Sequence, residues 1–122
     1  MFHRPAVPTI DVREAHARLA EVDAHPLLID VRGADEFVQA RVPGSVLVPL
    51  PSLAARLPHL PTDRELLVIC HTGNRSATAT AFLLARGYDR VADVAGGIVA
   101  WYRAGLPLVG GALDPGEGEL PG

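Results

Sequence analysis

Short apolar runs recur along the chain, separated by stretches with helical spacing. A first helix is predicted where Asp11, with Glu14 three residues later, forms a capping pair, and Val12, Ala15, Leu19 and Val22 follow at helical spacing. Leu27 to Val31 is bounded by Pro26 and Gly33 and reads as a buried strand, with a short helix over Asp35 to Ala40 behind it. Val46 to Val48 predicts a second strand, and Leu53 to Leu60 a short helical segment between prolines. Leu66 to Cys70 is the most strongly apolar run and predicts a central strand. From Arg75 to Arg86 the pattern is helical, with Ala77, Ala81, Leu84 and Ala85 on one face and Gly87 as the C-terminal stop. Val91 to Val94 predicts another strand, after which Gly96 and Gly97 open a last helix over Ile98 to Ala104, ended by Gly105 and Pro107. Trp101 falls in that helix as a core residue.

Strands that alternate with helices imply an α/β fold, a mostly parallel sheet with helices on both faces. Such sheets place their sites at the carboxyl ends of the strands. The length of 122 residues suits one domain, and with nearly half the residues apolar a packed core is expected. We expect residues 1–8 to be an N-terminal extension, 9–109 the domain, and 110–122, rich in Gly, Pro and acidic residues, a loosely held tail.

Charge removes several functions. The formal net charge of -3 and the lack of any basic run leave no electrostatic footprint for nucleic acid or an acidic membrane surface. All 11 basic residues are Arg, so Schiff-base chemistry on Lys and the Lys-dependent phosphate loop are excluded. The opening Met1-Phe2-His3-Arg4-Pro5 leads to no apolar leader and no stretch has the length of a membrane span, so a cytoplasmic location is expected. The single Cys cannot make an internal disulfide, which agrees with a reducing compartment.

That cysteine heads the one constellation with chemistry in it: strand, Cys70, then His71-Thr72-Gly73-Asn74-Arg75, then helix. In this geometry the backbone N–H groups of Thr72 to Ser76 can turn inward around the sulfur, backed by the helix N-terminus, and favour a thiolate. A free Cys ionises at a pKa of about 8.5, and sites of this kind lower it. Gly73 suits a loop that curls back on its own sulfur, because it is free to take positive φ. By position alone, a Cys at the end of an apolar strand is more often a small core hydrophobe. The polar, Gly-containing sequence that follows, with Asn, Arg and Ser opening a helix, argues against that.

Four segments then resemble, in order and spacing, the marker motifs of the rhodanese family: Leu28-Ile29-Asp30-Val31-Arg32, Arg41-Val42-Pro43-Gly44-Ser45, the Cys70 to Ser76 loop, and Ala95-Gly96-Gly97-Ile98-Val99-Ala100-Trp101. The resemblance runs from about Thr9 to Val109. It implies a rhodanese-like fold with a five-stranded, mostly parallel sheet flanked by helices, and a catalytic Cys70 that cycles between thiol and persulfide. The substrate cradle would then be His71, Thr72, Gly73, Asn74, Arg75 and Ser76. One departure is plain. Many relatives carry Gly-His before the Pro-Gly turn where this chain has Ala40-Arg41-Val42, so a role of that His is absent or taken by Arg41, with a local structural consequence.

Each residue around the sulfur has a competing reading. Arg75 is a candidate to bind an anionic sulfur donor, or it makes surface contacts in the first helical turn. His71 supplies partial positive charge or is a solvated loop residue. Asp30 and Arg32 follow a strand that ends near the site, which fits a supporting role behind the loop, although an ordinary strand-end ion pair is the better expectation. Adjacent Cys-His has the wrong spacing for a metal pair, and neither a metal nor an organic cofactor is expected.

The function expected from the resemblance is sulfur transfer from thiosulfate or a related small-molecule donor to cyanide, a thiol or a sulfur-accepting protein. Such an enzyme would act as a monomer or homodimer. A phosphatase or arsenate reductase of the Cys-loop kind is the competing enzyme class. Those loops place five residues between Cys and Arg, whereas four separate Cys70 from Arg75. A non-catalytic module that kept the fold is the third reading, and the retained Cys argues against it.

Overall fold

The computed structural model describes residues 7–23 and 25–121, so most of the expected N-terminal extension lies outside the described residues. Five strands form one sheet: β1 (Thr9–Ile10), β2 (Leu27–Asp30), β3 (Val46–Leu47), β4 (Leu66–Ile69) and β5 (Val91–Val94). Their order is β1-β5-β4-β2-β3, and every pairing between them is parallel. All the strands therefore end at the same edge, with Asp30 in register with Ile69 where β2 and β4 run out.

The pleat explains why the central strands read as continuous apolar runs. Leu27 and Ile29 of β2, with Leu66 and Val68 of β4, pack on one face, while Leu28, Leu67 and Ile69 pack on the other. The first face is covered by α3 (Leu53–Arg56), which is flanked by 3-10 turns, and by α4 (Asn74–Ala85). The second is covered by α1 (Val12–Leu19) and α5 (Gly97–Arg103). The remaining helix, α2 (Ala34–Gln39), follows β2 and buries Phe37. Trp101 is fully buried, its indole N–H donating to the Pro107 carbonyl at 2.9 Å. The Asp11 side chain accepts the Glu14 N–H at 2.8 Å, and this cap starts α1.

Three local expectations differ from the structure. Helix α1 stops at Leu19, and Val22 is 90% exposed beyond it. In α4 the buried residues are Ser76, Ala79, Thr80 and Leu83, not the face carrying Ala77, Ala81, Leu84 and Ala85. The two hydroxyls can be buried because each has a partner: Thr80 donates to the Ser76 carbonyl at 2.7 Å, and Ser76 meets Cys70. The segment from Gly110, expected as a loose tail, is fastened along α2 and β3. Gly111 N–H donates to the Val38 carbonyl and Leu47 N–H to the Gly118 carbonyl, at 2.8 and 2.7 Å. Leu120 packs against the core. Arg41, only 3% exposed, holds this segment through the Glu117 carboxylate and the Gly111 carbonyl. Among the described residues no helix is long and apolar enough to cross a membrane.

Candidate active site

Cys70 follows β4 directly and is 1% exposed, at the strand edge where α4 begins. Its Sγ accepts the Gly73 N–H at 3.1 Å and lies 3.2 Å from Ser76 Oγ. These two contacts close the loop on its own sulfur. Gly73 makes the curl possible with φ +115°, a conformation that a side chain resists, and it stands immediately before the first turn of α4.

The far side of the loop is held by α5. Ile98 N–H donates to the Cys70 carbonyl at 2.9 Å, and Val99 N–H to the His71 carbonyl at 3.1 Å. With these carbonyls drawn toward α5, the backbone is turned so that Gly73 N–H faces the sulfur. The Gly-Gly pair therefore does more than turn the chain: at Gly97, with φ +60°, a Cβ would overlap the carbonyl oxygens of Cys70 and His71.

Arg75 reaches across to α2. Its Nη1 and Nη2 donate to Glu36 Oε1 and Oε2 at 2.7 and 2.9 Å, a bidentate pair. Glu36 also accepts the Gly33 N–H at 3.1 Å. The Arg75 guanidinium is the main reason that Glu36 titrates at about 2 instead of 4.5, aided by the Gly33 N–H and opposed by partial burial. Arg75 in turn is raised above its ordinary value, first by Glu36. The sequence reading singled out Arg75 and missed Glu36, whose only sign was its place three residues after Gly33 at the start of a short helix.

Asp30 and Arg32 form a buried bidentate pair, with Arg32 Nη2 at 2.8 Å from Asp30 Oδ2. The guanidinium also reaches the Ala40 and Glu36 carbonyls. This pair fixes α2 to the end of β2, and α2 carries Glu36 to Arg75. The two residues thus sit two contacts behind the loop. His71, Thr72 and Asn74 are exposed at its rim.

Asp93 was also missed. It is 5% exposed, lies in β5 in register with Val68, and its Oδ1 has no hydrogen-bond partner. Burial raises its titration above the ordinary carboxylate value, and the neighbouring Ser76 hydroxyl partly opposes this. A carboxylate inside the predicted buried run Val91 to Val94 was the available signal.

With this geometry in hand, the comparisons with known proteins are specific. Residues 3–104 match the model of the rhodanese-like domain. The chain belongs to the rhodanese family. It is 38% identical over 103 residues to a sulfurtransferase of Allochromatium vinosum, covering 84% of this chain and 95% of that one. It is 32% identical over 99 residues to the thiosulfate sulfurtransferase GlpE of Vibrio cholerae, covering 81% and 92%. The fold matches the crystal structure of a rhodanese-related protein of Thermoplasma volcanium with a TM-score of 0.76 at 31% identity, covering 84% and 97% of the two chains. The five-stranded parallel sheet flanked by helices is thus the rhodanese-like fold expected from the four motifs. Among the described residues, no group of three or more His, Cys, Asp or Glu side chains could hold a metal ion.

Proposed function

We propose that this rhodanese-family chain is a sulfurtransferase that carries sulfane sulfur on Cys70. Family membership and the names of its relatives support sulfur transfer in general. The observation that carries the reading onto this site is the Gly73 N–H donating to Cys70 Sγ, with the Ser76 hydroxyl also beside the sulfur. A donor aimed at sulfur stabilises the thiolate and, after loading, the anionic persulfide.

In the first step the Cys70 thiolate attacks the outer sulfur of thiosulfate. A Cys–S bond forms, the S–S bond of thiosulfate breaks, and its electron pair leaves with sulfite. In the second step an acceptor such as cyanide or a thiol attacks the outer sulfur of the persulfide, and the Cys70 thiolate leaves. With cyanide the product is thiocyanate. His71, Thr72 and Asn74 are exposed on the loop that follows Cys70, and we assign donor binding to the loop from His71 to Ser76.

The competing phosphatase or arsenate reductase chemistry is disfavoured by the same geometry. It needs an Arg whose charge is offered to oxyanion oxygens inside the loop, and here both terminal nitrogens of Arg75 are engaged by Glu36. The ring is also one residue shorter than a phosphate loop. The test compares thiocyanate formation from thiosulfate and cyanide with hydrolysis of an aryl phosphate, in the native protein and in Cys70→Ser. Sulfur transfer that exceeds hydrolysis and vanishes in the variant is the expected result. Phosphate hydrolysis dependent on Cys70, without thiocyanate, would overturn the proposal.

A further inference from the structure

The arginines of an acidic chain find carboxylates easily, and in this chain of net charge -3 Arg18, Arg32, Arg41 and Arg75 each sit in an ion pair. Three others do not, and they meet at one place. Arg64, Arg86 and Arg90 line a cleft of about 80 Å³ at the end of the sheet where β4 and β5 begin. Among the described residues none of the three has a carboxylate within ion-pair distance. Cys70 follows the opposite end of β4, a strand length of roughly 13 Å away. The cleft is therefore separate from the cysteine loop.

Two of these guanidinium groups are held by neutral partners that leave their charge uncompensated. Arg64 Nε donates to the His25 carbonyl at 2.9 Å, and the Arg86 guanidinium lies over the Phe82 ring, 4.8 Å from its centre. Arg90 is tied in through its backbone: its carbonyl accepts the Leu66 N–H at 2.8 Å, which fixes the turn before β5 to the start of β4. Between Arg86 and Arg90, Tyr88 is anchored by its hydroxyl, which donates to the Leu57 carbonyl at 3.3 Å. A cation at a helix C-terminus is favourable in itself, and that accounts for Arg86 at the end of α4. It does not account for Arg64 and Arg90, which come from the segments before β4 and β5.

We propose that this cleft is a binding site distinct from the cysteine loop, and that its ligand is hydrogen phosphate, held by the guanidinium groups of Arg64, Arg86 and Arg90. Guanidinium forks match the oxygens of a tetrahedral oxyanion, and three of them around a small cleft supply more charge than a carboxylate needs. The nearby acids narrow the choice. Glu65, next to Arg64 in the chain, is turned to Arg18 at 2.6 Å. Asp23 and Asp63 line a larger cleft of about 410 Å³ that shares Arg64 and Arg90, and their charge directs an anion to the smaller one. The smaller cleft has a single acid, Asp89, and one aliphatic hydroxyl, Thr62. Hydrogen phosphate carries one P–O–H to donate to a carboxylate, whereas sulfate has acceptors alone and meets Asp89 as a repulsive neighbour.

The test is a titration of the isotope-labelled full chain with sodium phosphate, read by the NMR shifts of backbone amides, with sodium chloride holding the ionic strength constant. It makes no use of Cys70 chemistry, so its outcome is independent of the sulfur-transfer proposal. The N–H signals of Gly87 and Tyr88 should shift and saturate, while that of Gly73 in the cysteine loop stays in place. Arg86→Gln and Arg90→Gln should each weaken binding about three- to tenfold, between the worth of an exposed ion pair and that of a charge-assisted hydrogen bond. Both side chains are exposed, and an unchanged Gly73 signal in each variant shows that the fold is intact. Sulfate should bind more weakly than phosphate, and Asp89→Asn should narrow that difference. Shifts that fail to saturate, that chloride alone reproduces, or that both arginine variants leave undiminished overturn the site. Sulfate binding as tight as phosphate in the native protein overturns the choice of ligand.

Discussion

Replacing Glu36 by Gln removes the negative partner of Arg75 while keeping an oxygen that can accept the Gly33 N–H, so it isolates the charge in the bond between α2 and the cysteine loop. The pair holds Glu36 at about 2 against an ordinary 4.5. That depression corresponds to ~3 kcal/mol if it acted in full. Arg75 and Glu36 are 38% and 33% exposed, however, and solvent screening reduces the contribution to ~1–2 kcal/mol. The folded-state value is depressed, so the stabilisation is complete above the unfolded value of 4.5 and is lost as pH falls toward 2. Urea unfolding at a series of pH values should therefore show the native protein more stable than Glu36→Gln by ~1–2 kcal/mol at neutral pH, with the gap shrinking by roughly half as pH drops to about 3. Arg75→Ala should lose a similar amount, and the double variant should lose less than the sum. A gap that is absent at neutral pH, or one that does not narrow in acid, would refute the view that this ion pair anchors the loop.

Gly97→Ala should disturb the sulfur from the opposite side. It forces a Cβ onto the Cys70 and His71 carbonyls at φ +60°, so we expect a stability loss of ~1–3 kcal/mol and a drop in Cys70 reactivity of at least ~tenfold; native reactivity toward thiosulfate in this variant would mean that α5 does not shape the loop. Arg41→Ala removes the hold on Glu117 and Gly111, and limited proteolysis should then cut within 110–121 several-fold faster than in the native protein while the sheet survives. Equal cleavage would show that Leu120 and the backbone bonds suffice.

What the sequence made legible follows from the range over which each signal acts. Strands β2 and β4 were readable because both faces of a central parallel strand are buried, so three consecutive apolar residues before Asp30 in β2 and four in β4 leave little other choice. The cysteine loop was readable because its special backbone needs Gly73 and its order along the chain is local. Long-range pairs were not readable. Glu36 and Arg75 are 39 positions apart, and Arg41 and Glu117 are 76 apart, so nothing in either neighbourhood names the partner. The apolar face of α4 is not the one it buries, for a chemical reason. Ser76 and Thr80 count as polar in a periodicity argument, yet their hydroxyls are satisfied locally and they bury as readily as Ala79. The composition from Gly110 onward suggested a loose segment, because backbone hydrogen bonds to Val38 and Leu47 leave no mark on composition.

The central claim is that Cys70 carries sulfur, and the mass of the intact protein tests it most directly. After incubation with thiosulfate in the absence of reductant, the native protein should gain one sulfur atom, ~32 Da by the persulfide step. Cyanide should remove it, and Cys70→Ser should never acquire it. A native mass unchanged by thiosulfate and by other sulfane donors, or a gain that persists in Cys70→Ser, would contradict the account.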